Sequence, residues 1–141
     1  MTPEQIADVR SSFAAIRPIS AKAAALFYTR LFQLDPSLRP MFTRDLQEQG
    51  RMLMQVLGVA VASLDRIQTL IPTLHDLGRR HAGYGVRDEN YDTVAEALLW
   101  TLEQGLGPEF TPQVRDAWTT TYAVLARTMQ HGAAANAKAA A

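Results

Sequence analysis

A chain of 141 residues is one domain's worth of sequence, long enough to bury a core and a sizeable cofactor; 48% hydrophobic and 20% charged content marks a globular protein. Lys+Arg and Asp+Glu both number 14, so no net field recruits nucleic acid or an anionic membrane. Cysteine is absent, which excludes disulfides, Cys nucleophiles and thiolate ligation of any metal or cofactor.

The predicted elements are helices punctuated by prolines and glycines. Thr2-Pro3-Glu4-Gln5 opens the first, with Thr2 as N-cap, Pro3 in the first turn and Gln5 as the capping-box partner. Its apolar positions Ile6, Val9, Phe13 and Ile16 fall at helical spacing until Pro18. Ser20 is read as the cap of a second helix carrying Ala24, Phe27, Tyr28, Leu31 and Phe32. Asp35-Pro36 starts a short helical turn, with Pro40 and Phe42 just beyond. A long helix is expected over 46–63 and another over 67–82, with Pro72 near the start of the latter and Gly83 and Gly85 at its end. Asp88 is read as the cap of a helix running through Tyr91, Val94, Leu98 and Leu102 to Gly105 and Gly107. Thr111-Pro112 opens the last, with Val114, Trp118, Tyr122, Leu125 and Met129 on one face. No strand and no internal repeat is apparent, so the fold class is all-α. Residues 1–131 are expected as the domain and the Ala-rich stretch 132–141 as a disordered tail. No basic-then-apolar leader and no run of about 18 apolar residues is found, which makes a cytoplasmic protein without a membrane span the expectation.

Three histidines are present. On a 100° helical step His81 aligns with Leu77, Leu74 and Leu70 and points with the apolar stripe. His75 shares a polar side with Arg79 and Gln68, and His131 lies past the last strong apolar position. An inward His is a ligand or a core histidine bonded to a backbone carbonyl, and periodicity alone leaves both open. Gln49 falls within the stripe of Leu46, Leu53, Leu57, Ala60 and Leu64, and a buried amide there needs a partner; Tyr28 is likewise inward with a hydroxyl to satisfy. One inward His with no Cys cannot build a zinc site, no nucleophile elbow exists and no Gly-rich loop is available for phosphate. An all-α box with one inward imidazole and two inward hydrogen-bond formers suits haem, which needs one axial ligand and polar groups opposite it.

The same residues carry a family likeness. Leu26-Phe27-Tyr28 with Leu31-Phe32, Pro36 through Pro40-Met41-Phe42, and Gln49 through Leu53-Met54-Gln55-Val56-Leu57-Gly58 form its first half. Leu70-Ile71-Pro72-Thr73-Leu74, Leu77-Gly78-Arg79-Arg80-His81, Tyr84-Gly85-Val86, Ala117-Trp118 and Tyr122 form its second. In this order and spacing the chain resembles bacterial single-domain globins of the flavohaemoglobin-like lineage over residues 1 to about 130.

The resemblance implies a 3-over-3 helical sandwich around haem b, with His81 as the proximal iron ligand. It makes Phe42 the phenylalanine that packs flat on the porphyrin, Tyr28 and Gln49 the distal pair, Leu53 the apolar residue one turn beyond, and Val86 a contact to the haem edge. Tyr91 matches a proximal-side tyrosine, which in flavohaemoglobins is joined by a glutamate on the last helix. Here that glutamate's place falls near Ala133. Without a carboxylate the imidazole has less anionic character, which disfavours peroxidase-like O–O cleavage. Arg79 and Arg80 are either partners of haem propionates or a solvated basic pair. Neutral His81 is expected to donate its second ring N–H to a carbonyl one turn back. O2, CO and NO are the implied ligands, and the chain is a monomer or homodimer. Three functions follow in order: a reversible O2 binder for storage, delivery or sensing; a nitric oxide dioxygenase served by a separate reductase; and an all-α interaction module without cofactor.

Overall fold

The computed structural model describes residues 1–140, with side chains described through residue 135. Its regular structure is helical throughout, with no strand among the described residues. The first helix, α1 (Pro3–Ile16), begins at a reciprocal cap: the Gln5 N–H donates to Thr2 Oγ1 at 3.1 Å, and the Thr2 N–H to Gln5 Oε1 at 2.9 Å. Pro18 does not separate α1 from its successor by a loop. A tight 3-10 turn over Arg17–Ile19 leads straight into α2 (Ser20–Leu34), so Ser20 is the first helical residue and Ile19 occupies the cap, with no side-chain bond.

Asp35 then caps a 3-10 segment, Pro36–Met41, by accepting the Ser37 N–H at 3.0 Å. Next comes α3 (Leu46–Ala62). The helix expected from residue 67 starts later. Leu64–Leu70 is a 3-10 segment broken at Arg66 (φ −146°), and α4 (Ile71–Gly83) follows with Pro72 in its first turn. At the start of α5 (Asp88–Leu106) the cap is Arg87 rather than Asp88; its N–H donates to Asn90 Oδ1 at 2.8 Å. Finally α6 (Pro112–Ala140) starts where Thr111 Oγ1 accepts the Val114 N–H at 3.2 Å. The segment expected to be a tail from residue 132 continues α6 as helix to Ala140.

The helices form two layers, with α1, α3 and α4 over α2, α5 and α6. The core between them holds Val9, Phe13, Phe27, Leu31, Leu102 and Trp118, which are inward positions of the sequence stripes, together with Ala97 and Ala117. Burial of the larger of these side chains contributes about 1.5–3 kcal/mol each relative to exposure, and this packing outweighs the weak helix propensity of Thr119, Thr120 and Thr121 within α6. Two contacts tie distant parts of the chain. Trp118 Nε1 donates to Ser12 Oγ at 2.8 Å, joining α6 to α1. Arg10 donates to the carbonyls of Val61 (3.2 Å) and Ala62 (2.9 Å) at the end of α3.

The positioning of α3 and α4 matters most. Between Leu46–Ala62 and Leu64–Gly83 the path bends by 113°. α3 rests on α2 and α1, α4 rests on α6, and the two do not pack on each other along their length. With that bend and without packing between them, α3 and α4 diverge like the arms of a V, and the space between the arms is a cleft. No single helix among the described residues is long and apolar enough to cross a membrane.

Candidate functional site

One wall of the cleft is built on α2. Tyr28 is buried, and its ring meets Phe42 edge-on with centroids 5.4 Å apart. Phe32 completes the cluster, 5.4 Å from Phe42 and 6.2 Å from Tyr28. The Arg39 guanidinium lies over Phe32 at 5.4 Å and donates to the Phe42 carbonyl at 3.0 Å, while the Phe42 N–H donates back to the Arg39 carbonyl. Phe42 is therefore held on both its backbone and its ring. Sequence reasoning missed Phe32 and Arg39 as partners here, although an aromatic one turn from Tyr28 was a usable signal.

The roof comes from α3. Gly50 lets this helix approach α2 closely: a Cβ there would lie 2.8 Å from the Ala24 Cβ. That approach brings the Tyr28 hydroxyl within 3.4 Å of the Gln49 backbone carbonyl, a long hydrogen bond. The contact between Tyr28 and Gln49 thus runs through the Gln49 main chain. The half-buried Gln49 side chain makes no hydrogen bond among the described residues. Burial pushes the Tyr28 hydroxyl up to about 12, so it stays a proton donor. Leu53, one turn on, is half-buried against the core and lines a wholly apolar cavity of about 20 Å³ with Phe27, Leu57, Leu98 and Trp118.

His81 is carried near the end of α4. Its Nδ1 lies 2.7 Å from the Leu77 carbonyl, one turn back, as the sequence leads one to expect. That bond needs the proton on Nδ1 and leaves Nε2 as a lone-pair acceptor with no hydrogen bond among the described residues. Burial, the dominant cause, lowers the His81 pKa; the Leu77 bond raises it, and the Arg80 charge lowers it. The imidazole is neutral and pinned, with one nitrogen available. Val86 stands beside it, its N–H donating to the His81 carbonyl at 3.1 Å. Gly85 next to it lies against the Met41 side chain, which brings the loop after α4 to the end of the cleft near Phe42.

The remaining sequence candidates fall elsewhere. Both arginines beside His81 turn to Asp76, Arg80 at 2.9 Å and Arg79 at 3.6 Å, in exposed pairs of little energetic weight. No hydrogen bond joins Tyr91 to His81. The Tyr91 carbonyl instead accepts the Tyr122 hydroxyl at 2.7 Å, a tie between α5 and α6 that the sequence did not reveal. His131 is exposed, whereas His75 is half-buried because α6 crosses it at Gly132.

The donor set decides which group fits. No cluster of three or more His, Asp or Glu able to hold a bare metal ion occurs among the described residues. A single neutral imidazole whose Nε2 makes no hydrogen bond among the described residues, in a fold that also gathers Tyr28, Phe32 and Phe42 into an aromatic cluster, fits a flat macrocycle whose iron takes one protein ligand. The residues present suit haem.

Comparison with known proteins agrees. The sequence pattern of the Globin family matches residues 25–129. Neuroglobin of Danio rerio is 32% identical, with 91% of this chain and 89% of that one aligned. Neuroglobin of Tetraodon nigroviridis is 31% identical over the same shares. Among solved structures, an engineered carbene transferase, described as a candidate nitric oxide dioxygenase from Rhodothermus marinus, superposes with a TM-score of 0.88 at 25% identity. That match covers 99% of this chain and 97% of the other. A pattern spanning most of the chain, and relatives aligned along nearly all of it, establish that the protein belongs to the globin family.

Proposed function

We propose that this globin is a single-domain haem-b protein of the flavohaemoglobin-like bacterial lineage that binds O2 reversibly, with His81 as the proximal ligand and Tyr28 and Gln49 on the distal side. The observation that carries the reading is the His81 imidazole, held neutral by burial and fixed to Leu77 through Nδ1, which leaves Nε2 as the free lone pair.

Haem b, when bound, supplies a ferrous iron to which O2 and other diatomic ligands attach. The protein's part is to hold, orient and exclude. His81 Nε2 would be the nitrogen that holds the iron, and the Leu77 carbonyl fixes the ring by accepting the Nδ1 proton. Phe42 and Leu53, packed on the core, and the half-buried Val86 would offer apolar surface to the group. The Tyr28 proton is loosely held by the Gln49 carbonyl at 3.4 Å and is free to turn toward a more negative acceptor. The Gln49 amide adds a second donor. A hydrogen bond to a charged acceptor is worth about 1.5–3 kcal/mol, which favours O2 over CO because O2 takes on more negative charge.

Visible spectra of wild type and His81→Ala as ferric, dithionite-reduced and reduced-plus-O2 samples test this. A Soret band, a five-coordinate ferrous spectrum and a stable oxy form in the wild type, lost or altered in His81→Ala, support the reading. Failure to take up hemin in excess overturns it.

A second reading rests on the likeness to the Rhodothermus marinus protein described as a candidate nitric oxide dioxygenase. In it NO and O2 become nitrate, and a separate reductase supplies one electron for each turnover. Sustained nitrate formation with an added reductase favours the dioxygenase; a single stoichiometric reaction followed by arrest favours the O2 binder.

A further inference from the structure

α4 carries His81, and α6 is the helix it lies on. At two points along that crossing a glycine of one helix meets the main chain of the other. A Cβ built on Gly78 would overlap the main-chain carbonyl of Met129, and a Cβ built on Gly132 would overlap the main chain of His75. The contacts are reciprocal, one glycine from each helix against the other's backbone. Helix pairs normally sit about 8–10 Å apart at a distance set by the side chains between them. Here backbone meets backbone, and no flexible side chain lies between to absorb a displacement. Alanine would stabilise either helix locally by roughly 0.5–1 kcal/mol over glycine, so both positions forgo helix propensity for proximity. His81 lies three residues beyond Gly78, within one turn of the same rigid helix.

We propose that Gly78, with Gly132 as the second contact, is a positioning residue for His81: the glycine crossing sets how far the imidazole Nε2 reaches into the cleft. The inference rests on the reading of His81 as the iron ligand. It also gives residue 132 a role that its place in an Ala-rich stretch conceals. A methyl group at either glycine cannot be accommodated by a rotamer change. It must lift α4 from α6 and carry His81 along, and functional groups tolerate displacement of only about 0.5 Å before geometry suffers.

The test is the iron–histidine stretching band of the ferrous, ligand-free holoprotein by resonance Raman, measured for Gly78→Ala and Gly132→Ala. Both variants are expected to displace the band and to release hemin to an acceptor protein about tenfold faster. Val9→Ala, which opens the core far from α4, is expected to lower thermal stability while leaving the band in place. A second arm detaches the ligand. In a His81→Gly background filled with free imidazole, adding Gly78→Ala is expected to leave the band unmoved, because the imidazole no longer rides on α4. An unmoved band in both glycine variants, or a band that moves in the detached-ligand background, overturns the proposal. Should Gly78→Ala not accumulate as folded protein, Gly132→Ala decides. A wild type with hemin bound but no iron–histidine band overturns the ligand reading itself, a result distinct from failure of the crossing.

Discussion

The Tyr28 hydroxyl sits between two demands, burial and a single long hydrogen bond, and both bear on its proton. Burial raises its pKa from 10.0 to about 12. A group whose folded pKa exceeds its unfolded value contributes stability that is complete below the unfolded pKa and is lost as pH rises through the folded one. Stability owed to protonated Tyr28 is thus intact below about pH 10 and disappears toward about pH 12. Tyrosinate absorbance should show a late step that is missing in Tyr28→Phe, and a Tyr28 step near the ordinary tyrosine value would contradict the burial argument. For ligand chemistry the consequence is that Tyr28 remains a donor throughout neutral pH, not a phenolate ligand. Stopped-flow O2 release from Tyr28→Phe should be roughly 10- to 150-fold faster than from wild type, matching about 1.5–3 kcal/mol. CO release should change far less. Equal acceleration of both gases would point to a steric role instead.

At the scale of the helices, α3 is fastened at its far end by a residue of another helix. Arg10 of α1 donates to the Val61 and Ala62 carbonyls and meets Asp65 at 2.9 Å. The last carbonyls of α3 lack partners within the helix, and a cation at a helix C-terminus is favourable. The Asp65 pair is exposed and screened, so the carbonyl bonds carry most of the effect. Arg10→Met should cost about 1–2 kcal/mol and Asp65→Asn should barely move the transition, read as urea midpoints with unchanged slopes. A larger loss from Asp65→Asn would reverse that ranking. This contact also marks where the sequence stops being legible. The Thr2–Gln5 cap, the Thr111 cap and the inward stripes of α1, α3 and α6 are local patterns, and they read out directly. His81 facing inward was equally local, as was its carbonyl one turn back. Arg10 on the end of α3, Tyr122 on the Tyr91 carbonyl, and Gly132 on His75 join residues far apart in sequence, where periodicity carries no information. The boundaries missed were of a different kind. Asp88 and Ser20 are good cap residues displaced by one position, because Asn90 bonds the Arg87 N–H and because a 3-10 turn delivers α2 without a break.

For the molecule as a whole, the bond between Trp118 and Ser12 closes the chain on itself. It links residues 106 apart, and both partners are buried, Trp118 to 1% and Ser12 to 8% exposure. The Ser12 hydroxyl spends its own proton on the Asp8 and Val9 carbonyls, at 2.7 and 3.1 Å, so its oxygen is free to accept the indole N–H. The four-membered arrangement locks α1 against α6 beside the Phe13 ring, which lies 6.2 Å from Trp118. Ser12→Ala removes only a hydroxyl from a helix interior, where alanine is the better helix former. Local propensity therefore predicts a small gain. The tertiary effect predicts a loss of about 1–3 kcal/mol, because a buried indole N–H is left without an acceptor. The two are separable with Trp118→Phe, which removes the donor at the cost of a cavity. If the bond is what matters, the Ser12→Ala/Trp118→Phe double variant should be less destabilised than the sum of the singles by about 1 kcal/mol. Strict additivity in urea unfolding would mean that α1 and α6 are joined by apolar packing alone, and that the hydrogen bond only follows from it.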